Sequence, residues 1–319
     1  MNRRLAGICT IAVVLLAGAG YVGWTVWRQR PASAATGGLD PARSGTLLYV
    51  DEAAGDRRVG QVAPGGEAAT GDLRCLRMYS AGGTTICLRA LTVPAGFEAL
   101  LLDRNLAKIR TVRVDGTPSR ARVSASGRLV AWTVFRSGDS YDPGRFSTTA
   151  GIYDTADRKL YGSLEDFTLT VDGAPYDRPD VNFWGVTFAA DDRTFYATLG
   201  SAGRTWLLRG DLRTRTLTAI HENAECPAVS PDGTRVAYKK RGAGGAWRLH
   251  VLDLASGQEV ALAETANVDD QAVWFDPTTV GYATTPAGAR HPAVFAVPAD
   301  GSGAPRLVRP DASSPAPLT

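Results

Sequence analysis

Apolar and polar residues alternate along most of this chain in short runs, and helical periodicity is almost absent. Trp247-Arg-Leu-His-Val-Leu-Asp-Leu254 is one such run; the turn Ala255-Ser256-Gly257 separates it from the strand-like QEVALAE. Thr205–Leu212 leads in the same way to TLTAIHE, and FEALLLD leads to AKIRTVRV. These are signals for paired, half-buried strands. One segment breaks the pattern. Residues 5–27 hold no charged side chain, and they lie between Arg3-Arg4 and Arg28, Arg30.

The alternating part is an internal repeat. Its clearest copy runs from Cys226 to Tyr238 (CPAVSPDGTRVAY). Ser230-Pro231-Asp232-Gly233 is turn chemistry: Pro fixes the first corner, Asp accepts from nearby backbone N–H groups, and Gly tolerates positive φ. Val236 and Tyr238 then alternate on one face of a strand. SRARVSASGRLVAW (119–132) and AVWFDPTTVGY (272–282) repeat the arrangement, and looser copies follow SAGGTT, AADDRT and DPARSGT. Leu47, Ile86, Val130, Phe195, Val236 and Val280 become equivalent, at spacings of 39, 44, 65, 41 and 44 residues. The long interval holds an insertion around residues 163–182, with a hairpin-like Val171-Asp172-Gly173-Ala174. Six units of four short strands are the arithmetic of a β-propeller. A parallel β-helix needs shorter repeats, and a β-sandwich does not repeat a turn at this period.

The Ser-Pro-Asp-Gly-Thr-Arg-Val-Ala-Tyr motif and its weaker relatives resemble the repeats of TolB-type six-bladed propellers, a WD-type four-stranded unit. The resemblance covers residues 45–310. It implies the fold and an envelope location, and no chemistry. The extra amino-terminal domain of TolB has no counterpart in this sequence, so a role in the Tol system is not carried over. The chain is more similar to the stand-alone, membrane-anchored TolB-like proteins of GC-rich Gram-positive bacteria. The expected organisation is a signal-anchor or signal peptide (1–28), a Pro/Ala/Gly-rich linker (29–44), an all-β six-bladed propeller (45–310) and a tail (311–319). Closure is left open. The first unit lacks an innermost strand, and the tail, with Pro310, Pro315 and Pro317, reads as a poor one.

Twenty-three apolar residues make a helix of about 34 Å, enough to cross a bilayer core and longer than the usual core of a cleaved signal. Trp24 and Trp27 suit an interfacial belt. Ala32-Ser33-Ala34 offers a cleavage site, so the alternative is secretion after processing. Either way residues 31–319 leave the cytoplasm, which favours a disulfide. Cys75 and Cys87 flank the turn Ser80–Gly83 and are expected to pair across a hairpin, with two buried thiols as the alternative. Cys226 is expected in the core.

The chain's 35 basic and 32 acidic residues give +3. Residues 1–30 hold four Arg and no acid, so the exported part is nearly neutral, with 31 bases and 32 acids. That argues against a nucleic-acid partner. A hydrophobic share of 44% fills a core and excludes wholesale disorder.

No catalytic motif emerges. His221 and His291 read as loop residues and His250 as a strand residue; none stands at metal-ligand spacing. Leu199-Gly200-Ser201-Ala202-Gly203 lacks the first glycine of a nucleophile elbow and reads as a hairpin turn. No metal or cofactor is expected. The segments before the innermost strands should gather at one mouth of the channel. They would place Arg74, Arg120, Asp180, Asn182, Trp184, Glu225, Asp269, Asp270 and Gln271 in one funnel, either as a ligand site or as a hydrated, salt-bridged rim. Tyr141 and Phe146, in the loop 136–149, are candidate partner contacts. The leading expectation is a non-catalytic module, anchored in the cell membrane, that binds an envelope protein or other extracytoplasmic ligand. The alternatives are a propeller enzyme of the lyase or hydrolase kind, or a small-molecule sensor.

Overall fold

The computed structural model describes residues 38–136 and 147–319, together with Leu16, Gly18, Gly20 and Tyr21. Its strands form six sheets in sequence order, five of four strands and one of six. The architecture is the six-bladed propeller that the repeat predicts. The innermost strands of blades 2 to 6 are Arg77–Ala81, Thr117–Val123, Asn182–Phe188, Glu225–Val229 and Val273–Asp276. Each is followed by the second strand that carries the repeat's apolar pair: Thr84–Thr92, Leu129–Arg136, Thr194–Ser201, Arg235–Arg241 and Thr279–Thr284. Ile86, Val130, Phe195, Val236 and Val280 are fully buried.

Alternation along the second strands has a packing reason. Successive side chains point to opposite faces of a sheet, and in a propeller each face meets a different neighbour. Val236 and Tyr238 pack toward blade 4, against Tyr196 and Leu207. Ala237, between them, faces blade 6 and meets Val280 and Tyr282. Val130 and Trp132 meet Ile86 and Leu88 of blade 2, while Ala131 turns toward blade 4. A large face thus packs on a small one. Among the described residues the buried apolar side chains fall into six clusters, one at each junction between blades. The core is therefore a ring of six interfaces rather than a central mass.

The ring closes through the tail. Ala312–Leu318 pairs antiparallel with Thr46–Asp51 and forms the innermost strand of blade 1, with Leu47 opposite Pro317 and Leu48 opposite Ala316. The propeller therefore extends past residue 310. Prolines are tolerated because an innermost strand has one edge turned to the channel, where no ladder partner misses the N–H. Blade 1 is thus sewn from both ends of the ring.

The insertion forms a hairpin, Thr168–Val171 with Ala174–Pro175, that adds to the outer edge of blade 4 alongside Thr216–Glu222. Leu169 and Val171 join that blade's core. The Ser230–Gly233 turn works as expected: the Asp232 carboxylate accepts from the Thr234 N–H at 3.0 Å, and Gly233 takes φ of +73°.

Cys75 and Cys87 are disulfide-bonded, with Cα atoms 5.3 Å apart. The bond is not cross-hairpin: Cys87 faces Met78 in the ladder. Cys75 precedes the innermost strand, and its N–H donates to the Arg57 carbonyl of blade 1. The bridge therefore ties the crossover between blades 1 and 2 to the second strand of blade 2. Cys226 is buried and unpaired, as expected.

Residues 5–27 lie outside the described residues apart from the four named above, so the anchor is not seen. Among the described residues no helix is long and apolar enough to cross a membrane.

Candidate functional site

The starts of the innermost strands and the hairpins between second and third strands share one mouth of the propeller. Over blades 3 to 5 this mouth opens into a cleft of about 1000 Å3. Asp180, Asn182, Trp184 and Glu225 all line it. The Ser201-Ala202-Gly203 turn, a hairpin tip as expected, forms one wall.

Each side chain is held by its element. Asp180 accepts from the Ser201 hydroxyl at 2.6 Å and the Ala202 N–H at 2.7 Å, and pairs with Arg178 at 3.3 Å. These contacts, the Ser201 hydroxyl first, hold its carboxyl down at about 2. Asn182 accepts from the Thr148 N–H at 2.9 Å and so joins blade 4 to blade 3. Trp184 lies across Gly200, where a Cβ would come within 2.6 Å of the indole. Arg204 binds Glu222 with both arms of its guanidinium.

Behind the cleft a charged ladder crosses the axis. Glu225, 3% exposed, accepts from the Trp247 indole N–H at 3.0 Å and lies 3.7 Å from Arg241. Lys239, also 3% exposed, stands 4.0 Å from Glu225, contacts Asp269, and lies 4.1 Å from the Trp247 ring centre. Asp269 reaches across to Arg120 at 3.1 Å. Burial opposes the charge on Asp269, but Lys239 and then Arg120 outweigh it and leave the carboxyl below its ordinary value. The ladder Arg241–Glu225–Lys239–Asp269–Arg120 thus fixes blades 3, 5 and 6 relative to one another.

The axis itself narrows to a neck of about 20 Å3, room for a water but not for an organic ligand. Asp270 and Gln271 lie here. The Asp270 carboxylate accepts from the Ala283 N–H at 3.0 Å. The Gln271 amide donates to the carbonyls of Val186 and Pro227, so it bridges blades 4 and 5.

The expected funnel therefore separates into an off-axis cleft (Asp180, Asn182, Trp184, Glu225) and an axial group (Arg120, Asp269, Asp270, Gln271). Arg74 belongs to neither. It ends the outermost strand of blade 1, on the rim, and pairs with Asp56 at 3.6 Å. Its segment precedes the crossover rather than the innermost strand itself, which starts at Arg77. Tyr141 and Phe146 lie outside the described residues, although Arg136 and Ser147, on either side of residues 137–146, line the cleft. His221 sits in the fourth strand of blade 4, inside the added hairpin, rather than in a loop, 3.3 Å from Glu259. Among the described residues no group of three or more His, Cys, Asp or Glu is arranged to hold a metal ion.

Sequence reading missed Lys239, Arg241 and Trp247. The available signal was Lys239 and Arg241 at strand period beyond Ala237, with Trp247 just across a glycine-rich hairpin. It also missed Arg122, two residues beyond Arg120 on the same innermost strand and so on the same side of the sheet.

No family model matches the chain, and no curated protein matches it in sequence. Solved structures do match in shape. TolB from Acinetobacter baumannii superposes with a TM-score of 0.61 at 16% identity, over 86% of this chain and 67% of that one. A chain of a nidogen/laminin complex gives 0.55 at 11%, over 85% and 98%. Tricorn protease gives 0.53 at 10%, over 84% of this chain and 30% of the protease. At these identities the likeness establishes the fold, a TolB-like six-bladed propeller, and carries over nothing of what those proteins bind or cleave.

Proposed function

We propose that this chain is a non-catalytic, membrane-anchored propeller that presents the cleft over blades 3 to 5 to a protein or other ligand outside the cytoplasm. The observation that carries the reading is the state of the cleft's carboxylates. Glu165, Asp180, Glu222 and Glu225 each stand within ion-pair range of an arginine: Arg136, Arg178, Arg204 and Arg241 respectively. A general acid or base must exchange its proton with a substrate, and a carboxylate whose charge is offset by a neighbouring guanidinium is poorly placed for that. Fixed alternating charges on strand ends are well suited to recognition, where preorganised polar groups give specificity.

Two observations support the location. The uncharged stretch 5–27 flanked by arginines fits a membrane span. The Cys75–Cys87 bond is of a kind that persists outside the cytoplasm.

The test is capture from envelope extracts by the full chain and by a chain lacking residues 137–146, whose flanking Arg136 and Ser147 line the cleft. Loss of at least one partner from the shortened chain is expected. Identical partner sets would remove the segment from the site.

A further inference from the structure

The opposite mouth of the channel differs in charge from the cleft. The turns after the innermost strands, including Gly82-Gly83 and Ser230-Pro231, surround a second cavity of about 360 Å3. Two charged side chains line it, Arg104 and Arg122, and no Asp or Glu side chain does; Thr319, the last residue of the sequence, also lines it, and its carboxylate makes no ion pair with either arginine. Arg122 is 5% exposed. Its Nη2 donates to the Ala272 carbonyl at 2.8 Å and its guanidinium lies 4.4 Å from the Tyr79 ring centre, while its buried Nε–H has no hydrogen-bond partner. It forms no ion pair with any carboxylate of the described residues.

A guanidinium cannot shed its charge, so a buried one calls for a counter-ion. The neck beyond it does not supply one. Arg77, Arg120 and Arg122 meet there, and Asp270 is the one acid among the lining residues. Asp270 is held by the Ala283 N–H at 3.0 Å and stands beyond ion-pair range of all three. Arg122 therefore keeps its charge without a carboxylate partner, on the wall of the cavity. The cavity's walls there are aromatic: Tyr79, Phe188 and Trp274. The Trp274 indole N–H is spent on the Ala228 carbonyl at 2.8 Å and Arg235 lies over the ring at 5.1 Å, so what faces the cavity is an apolar edge of a largely buried ring.

We infer that this second mouth binds a small organic anion, its carboxylate on the part of the Arg122 guanidinium that lines the cavity and its apolar body against the edges of Tyr79, Phe188 and Trp274. Arg104, exposed beside Gly83, adds long-range attraction rather than a fixed contact. The size matches a small carboxylic acid and not a folded partner. The site lies across the neck from the proposed partner cleft and stands or falls separately from it.

Calorimetric titration of the full chain with benzoate tests this, with neutral benzamide and inorganic phosphate as the comparison probes. Saturable benzoate binding is expected, with benzamide and phosphate each weaker by about tenfold or more, the scale of a lost charge-assisted hydrogen bond. Arg122→Gln should weaken benzoate by about tenfold or more, Arg122→Lys less, and Arg104→Gln only a few-fold. Absence of saturable benzoate binding, equal binding of benzamide, phosphate binding as tight as benzoate, or an undiminished affinity in Arg122→Gln would each overturn the proposal. The benzamide comparison uses the unaltered chain, so it decides the matter even where Arg122→Gln does not fold.

Discussion

Gly210 lies directly across the ladder from Phe195, and a Cβ at its position would come within 2.2 Å of the fully buried ring. The same device recurs where Gly60 faces Tyr49 and Gly151 faces Trp132. A glycine gives up side-chain packing so that an aromatic ring can lie over the backbone of the neighbouring strand. Gly210→Ala should therefore lower stability by about 1–3 kcal/mol, the usual cost of overpacking a core. Gly162, with open space around its Cβ position, should accept alanine with a change within about 0.5 kcal/mol. Urea denaturation midpoints of the two variants check the contrast. Acid titration belongs to the same scale. Asp180 and Asp232 fall from an ordinary 3.8 to about 2, held first by the hydroxyls of Ser201 and Ser230. A carboxyl whose folded value is depressed stabilises above its unfolded value and loses that contribution as pH falls. The urea midpoint should decline between pH 3.8 and about 2, and less steeply in Asp232→Asn. A midpoint flat across that window would contradict the assignment. At this scale the sequence was most informative where side-chain type and conformation coincide. Pro231-Asp232-Gly233 could only be a turn, and Val236 and Tyr238 were legible as buried from alternation alone. Arg122 was not, because its meaning depends on which carboxylates come near it from blades 2 and 6.

Among elements, the closing strand is the informative case. Ala312–Leu318 has three features that argue against a strand in isolation: two prolines, Pro315 and Pro317, and positive φ at Ser314. It forms because blade 1 offers an unpaired edge and the channel side makes no demand on the proline nitrogens. Local propensity misjudged it, since the stabilisation comes from a partner more than 260 residues away, as in the hydrogen bond from the Ser313 hydroxyl to Glu52 at 2.6 Å. The disulfide was legible as a bond and misplaced as a geometry for the same reason: spacing reveals proximity but not register. Ala316 is fully buried at the seam, in the cluster that joins blades 1 and 2. Ala316→Asp should cost several kcal/mol, roughly 3 or more, by burying an unpaired charge. A single cooperative transition at a much lower midpoint, or loss of the folded state, is the expected result in thermal denaturation. A wild-type midpoint would show that the ring does not close through this strand.

At the scale of the whole molecule, function follows from what a ring of six interfaces leaves over. Packing between blades uses the inner strands, so the mouths are free to differ, and here they differ in charge. One is a broad cleft of matched ion pairs; the other is a small aromatic cavity with arginine and no acidic side chain. The number of blades was legible from the repeat period, and the closure of the ring was not. The cleft was legible only as a set of polar residues, because a sequence shows which segments approach the axis but not how far off it they settle. Partner recognition at the cleft can be read with a photo-cross-linking residue. It is placed in the full chain either at Ala202, on the cleft wall, or at Arg306, on the outer edge of blade 6, and exposed to envelope extract. A partner adduct is expected from position 202, absent from position 306, and fading when Arg204→Glu breaks the charge pattern of the cleft. The same adducts from both positions, or none from 202, would contradict it.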